Sequence, residues 1–95
     1  MTENCGLIIA FFPQRPGALA RHTVENLLAA HPVRIDRTEV TDKGILVFAT
    51  STQCQTLDLT ALRHALIREG EAVGCRVRLQ REDLFRAMHS LVMTP

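Results

Sequence analysis

Two stretches of the chain, Cys5 to Phe12 and Ile45 to Thr50, are apolar on both of the faces that a strand presents. Such strands belong inside a sheet, because neither face is suited to water. Val33 to Thr41 is rich in β-branched residues but carries Arg34, Asp36, Arg37 and Glu39, the composition of an edge strand. Cys75, Val77 and Leu79 alternate with Arg76, Arg78 and Gln80, which describes a second, half-buried edge. Charge alone therefore sorts the strands into an inner and an outer pair.

The segments between them have helical spacing. After the break Pro13-Gln14-Arg15-Pro16-Gly17, apolar positions fall at Leu19, Ala20, Thr23, Val24, Leu27 and Leu28, predicting a helix from Gly17 to about Ala30 with Pro16 in its first turn. His31-Pro32 ends it, and Asp42-Lys43-Gly44 turns the two middle strands into a hairpin. Asp58 is placed to cap a second helix, striped by Leu59, Leu62, Leu66 and Val73 and closed by Gly74 at C′. A last amphipathic helix, from Glu82 to Val92, carries Leu84, Phe85, Met88, Leu91 and Val92.

The order β-α-β-β-α-β, with right-handed crossovers and the charged strands outside, is satisfied by an α+β ferredoxin-like sandwich of sheet order 4-1-3-2 plus a C-terminal helix. Residues 1–95 then form a single domain. Both main helices lie on one face of this sheet. The other (Gly6, Ile8 and Ala10, or their alternates) wants cover from the C-terminal helix or a second subunit, so a homodimer is expected.

Composition narrows the function. Eleven basic residues against ten acidic leave a net charge of +1, which argues against a dedicated nucleic-acid binder. The longest apolar run, Leu7 to Pro13, is too short to span a bilayer, and Met1 to Asn4 lacks a secretory start, so a cytoplasmic protein with no membrane partner is expected. Cys5, Cys54 and Cys75 are odd in number and show no C-x-x-C spacing, and no two of the four histidines stand at i, i+4. A reduced domain without metal or cofactor follows.

No catalytic constellation can be assembled. Cys5 and Cys75 alternate with apolar neighbours as buried thiols do, Cys54 has no histidine facing it, and Asp36, Glu39, Glu69 and Glu71 read as solvated faces. An acylphosphatase-like site would use Arg15 to hold phosphate, but its loop wants more glycine than Gly17 supplies. Phe11, Phe12 and Phe48 occupy the strands on which an RNA-binding sheet stacks bases, yet no basic residues are mixed with them there, and a core role is the better account. Arg76, Arg78 and Arg81 read as a charged edge that resists aggregation. The loop Gln14-Arg15-Pro16-Gly17-Ala18-Leu19 either binds an anion, through Arg15 and the helix amides, or simply makes a tight turn.

Leu7 to Phe12 followed by Arg15-Pro16-Gly17-Ala18-Leu19 and a helix resembles the first strand, loop and helix of an ACT domain, and Val33-Arg34-Ile35 is similar to the start of its second strand. The run from Gly74 to His89 is more specific. It resembles small stand-alone ACT proteins, among them the glycine cleavage system repressor, and the ACT segment of some phosphoserine phosphatases. The resemblance implies a non-catalytic regulatory domain that pairs with another ACT domain and binds a small effector, commonly an amino acid. Carried over by position, the ligand-binding residues are Gln14, Arg15, Pro16, Gly17, Ala18 and Leu19, with Arg34 reaching across the dimer interface. Gln14 stands where the family often has Asp or Asn, and Arg34 where amino-acid binders often have Asn. The alternative expectation is a protein-interaction module without a small ligand, regulating a partner enzyme or transcription factor through the C-terminal helix.

Overall fold

The computed structural model describes residues 4–15 and 19–82 of the chain. Its elements are β1 (Cys5–Pro13), α1 (Arg21–Ala29), β2 (Val33–Val40), β3 (Ile45–Ser51), α2 (Thr56–Ala72) and β4 (Cys75–Arg81). The four strands form one antiparallel sheet in the order β2-β3-β1-β4, the 4-1-3-2 arrangement that the charge pattern implies. The C-terminal helix expected over 82–92 lies outside the described residues apart from Glu82.

One face of the sheet packs on the helices. Leu7, Ile9 and Phe11 of β1 and Val47 of β3 are fully buried there, against Val24 and Leu28 of α1 and Leu66 of α2. Each such side chain contributes about 1.5–3 kcal/mol by leaving water, so this layer carries most of the stability. Alternation puts Gly6, Ile8, Ala10 and Phe12 on the opposite face, where they are half-buried or exposed. Of the phenylalanines on the inner strands only Phe11 is in the core; Phe12 and Phe48 lie on the open face, a correction to the core role expected of all three.

The edge strand β2 contains a bulge. Ile35 pairs with Ala49 and Arg37 with Phe48, leaving Asp36 as the extra residue. Val33 and Ile35 face the core before it, and Thr38 and Val40 share the register of core residues Val47 and Ile45 after it. Thr38 Oγ1 is buried without a hydrogen-bond partner among the described residues.

Both helix starts differ from expectation. α1 begins at Arg21 rather than Gly17, because Ala20 is still extended (ψ 146°) and Leu19 turns onto the core as part of the approach. Pro16, expected in the first helical turn, lies outside the described residues. α2 begins at Thr56, which makes Asp58 a first-turn residue favourable to the helix dipole rather than a cap. Its end agrees with expectation: Gly74 has φ +77°, and its amide donates to the Glu71 carbonyl at 3.1 Å. Glu69 is not simply solvated, since its carboxylate lies 2.6 Å from His31 Nε2 and ties α2 to the end of α1.

Candidate functional site

The loop after β1 is anchored where it leaves the sheet. Pro13 pairs with Cys75, and the Gln14 amide donates to the Gly74 carbonyl at 2.9 Å. The left-handed turn that closes α2 therefore also fixes the first residue of the candidate ligand loop. The side chains of Gln14 and Arg15 are exposed beyond that anchor, and Leu19 returns half-buried against the core. Pro16, Gly17 and Ala18 lie outside the described residues. α1 begins at Arg21, three residues of sequence (Ala18, Leu19 and Ala20) beyond Gly17, and not at the glycine itself.

Arg34 lies at the other end of the sheet. It pairs with Thr50, which pairs with Gly6. Gln14 is eight residues further along the chain than Gly6, and at about 3.3 Å per residue the two ends stand roughly 26 Å apart. Within one chain the expected ligand set is thus divided. Arg34 is also engaged, with Nε 3.0 Å from Asp36 Oδ1. The other Asp36 oxygen accepts the Thr50 hydroxyl at 2.5 Å. That hydrogen bond, and after it the Arg34 guanidinium, holds the Asp36 carboxyl below its ordinary range.

The cysteines depart from the expected reduced state. Cys5 and Cys54 are joined by a disulfide with Cα atoms 5.9 Å apart. Cys5 pairs with Ser51 at the end of β3, and the chain folds back within three residues so that Cys54 meets it. Neither the odd count nor the spacing could reveal this, because the partners are 49 residues apart and only the β1–β3 register unites them. Cys75 is the free thiol; it is buried, and burial pushes its pKa up, away from nucleophilic behaviour.

Other chemistry is sparse. Among the described residues no group of three His, Cys, Asp or Glu could hold a metal ion, and no helix is long and apolar enough to cross a membrane. Arg76 and Arg78 stand exposed on β4, whereas Arg81 reaches the Cys54 carbonyl at 3.5 Å. On β2, Arg37 lies 4.3 Å above the Phe48 ring and 3.1 Å from Glu39.

No family model matches the chain. It is 32% identical over 94 residues to a UPF0237 protein of Methanosarcina acetivorans, covering 96% of this chain and 100% of that one. A UPF0237 protein of Methanosarcina mazei is 31% identical over the same shares. UPF0237 protein YjhC of Lactococcus lactis is 33% identical over 64 residues, 67% of this chain and 71% of its own. Among solved structures, an ACT domain protein from Streptococcus pneumoniae superposes with a TM-score of 0.57 at 19% identity, covering 86% of this chain and 93% of that one. The likeness shows that the fold is that of an ACT domain.

Proposed function

The chain belongs to the UPF0237 family, and we propose that it is a non-catalytic regulatory domain that pairs with a second copy and holds a small effector, an amino acid or similar small anion, at the interface. The observation that carries this reading is the position of β2. It is an edge strand, largely exposed, with its outer side unpaired among the described residues. A two-fold axis normal to the sheet beside β2 reverses strand direction, so the Val33 end of one copy meets the Val40 end of the other. Val40 pairs with Ile45 and Ile45 with Phe11, which places it at the Gln14 end of the sheet. The same rotation carries Arg34 of the partner subunit to that end, so the divided ligand set becomes whole only in the pair.

The effector would act by linkage. A ligand that touches both copies binds one dimer arrangement more tightly than the others and shifts the population toward it. Gln14, Arg15 and Leu19, with Pro16, Gly17 and Ala18 between them, supply one wall. Arg34 of the partner subunit supplies a countercharge for a carboxylate.

A thermal-shift panel of the twenty amino acids and common small anions tests the reading, alongside sedimentation to establish the dimer. A ligand at about a hundred times its Kd adds ~2.7 kcal/mol, which raises the midpoint of a domain this size by roughly 10 °C or more. Gly17→Val is expected to abolish the shift in a protein that still melts cooperatively. A silent panel on folded protein, or an undiminished shift in Gly17→Val, would overturn the proposed site.

A further inference from the structure

The open face of the sheet has an apolar centre. Ile8, Ala10 and Phe12 of β1 lie beside Leu46 and Phe48 of β3 and line a shallow groove of about 250 Å³. Arg78 and Gln80 of β4 form one bank, and Arg37, over the Phe48 ring, stands on the other. This groove lies on the opposite side of the sheet from the packed helices.

The path of the chain indicates what covers it. β4 ends at Arg81, and the backbone of Glu82 is already helical. The Glu82 side chain rests on Gly6, where an added Cβ would collide with its carboxylate. Gly6 shares the open face with Ile8 and Ala10, so the last described side chain lies on the groove side of the sheet. Residues 83–95 follow. Thirteen residues in helical form measure ~20 Å at ~1.5 Å each, against about 14 Å across four strands. Leu84, Phe85, Met88, Leu91 and Val92 fall at i, i+1, i+4, i+7 and i+8, one stripe, with Arg86, His89 and Ser90 on the other side.

We propose that residues 83–95 fold back as a helix along this groove in their own chain, burying Phe85 and Met88 against Ile8 and Phe48. Length, point of departure and apolar phase all agree with that occupant. A second copy stacked face to face fits less well, because a two-fold contact would bring the Arg76, Arg78 and Arg37 banks of both chains into one desolvated layer. The inference is independent of the effector site, since the groove and the β2 edge are different surfaces.

Nuclear magnetic resonance on the full chain tests it directly. A cross-relaxation peak is expected between the Met88 methyl and the Phe48 ring, and it is expected to vanish in an isotope-filtered experiment on mixed labelled and unlabelled chains. Absence of the peak, or its survival between differently labelled chains, would overturn the proposal; survival would assign the segment to a second copy. Limited trypsin digestion gives an independent readout at the bond after Arg86, which a docked segment protects. Phe48→Asp and, separately, Phe85→Asp are each expected to speed that cleavage by ~10-fold or more while melting stays cooperative. Phe85→Asp lies outside the helix-side core, so it keeps the test valid should Phe48→Asp fail to fold. Equal cleavage rates in wild type and folded variant would sink the proposal.

Discussion

Replacing Gly70 with alanine sets two opposing effects against each other. Gly70 sits near the end of α2, where alanine would favour the helix by about 0.5–1 kcal/mol over glycine. The same position is where α2 presses on β4. An added Cβ would stand 2.5 Å from Val77 Cγ2, 3.1 Å from the Cys75 carbonyl oxygen and 3.4 Å from Cys75 Sγ. Valine is stiff about χ1 and the carbonyl belongs to the strand, so neither neighbour yields cheaply. Overpacking of this kind costs about 1–3 kcal/mol. Steric cost wins, and Gly70→Ala is expected to destabilise the domain by about 1–2 kcal/mol, lowering the thermal midpoint by roughly 5–15 °C. Urea unfolding of the single and double variants in a Val77→Ala background checks the cause. Removing Cγ2 opens the space, so Gly70→Ala should become nearly neutral there, a coupling of about 1 kcal/mol or more. A higher midpoint for Gly70→Ala, or the same loss in both backgrounds, would refute the reasoning.

Two further outcomes are expected. Cys5 and Cys54 close a loop across a sequence separation of 49, for which chain entropy gives ~4 kcal/mol as an upper figure. Cys5→Ser should therefore lower the urea-derived stability by about 2–4 kcal/mol, and non-reduced unfolded wild type should show one reactive thiol; three would refute the bridge. Asp36 is held below its ordinary value of 3.8 by Thr50 and then Arg34. Its contribution is present above the unfolded-state pKa and is lost as pH falls through the lower folded-state value. Asp36→Asn should flatten the stability-versus-pH curve below about pH 4, measured by urea titration; an unchanged acid slope would count against the assigned partners.

Charge made the sheet order readable. Arg34, Arg37 and Glu39 could not be buried on both faces, nor could Arg76 and Arg78, while Leu7 to Phe12 and Ile45 to Ala49 tolerate nothing else. Gly74 was equally legible, because a glycine following a helical stripe names its own backbone angle. Helix starts were harder. Leu19 and Ala20 fall on the helical stripe by spacing, yet they pack as an extended lead-in, and Ala20 has no side-chain oxygen to mark the boundary. The candidate site was only half accessible for a different reason. Gln14 and Arg34 were singled out by resemblance, but their opposite placement on the sheet is a property of strand register. The Cys5–Cys54 bridge belongs to the same class: tertiary proximity with no local trace.

The bulge at Asp36 acts on β2 as an inserted letter acts on a reading frame. Ahead of it the odd-numbered residues Val33 and Ile35 point inward; behind it the even-numbered Thr38 and Val40 take the inward register. Were the strand read in one frame, Arg37 and Glu39 would be driven toward Val47 and Ile45, and an edge strand with two buried charges would not pair at all. The bulge therefore takes residue 36 out of the count, and the residues after it keep the faces that their chemistry requires. A substitution there leaves the frame intact. Removing the residue would take out the bulge instead: Arg37 would follow Ile35 directly, still opposite Phe48, and Val33, Ile35, Thr38 and Val40 would take the inward positions in one unbroken alternation.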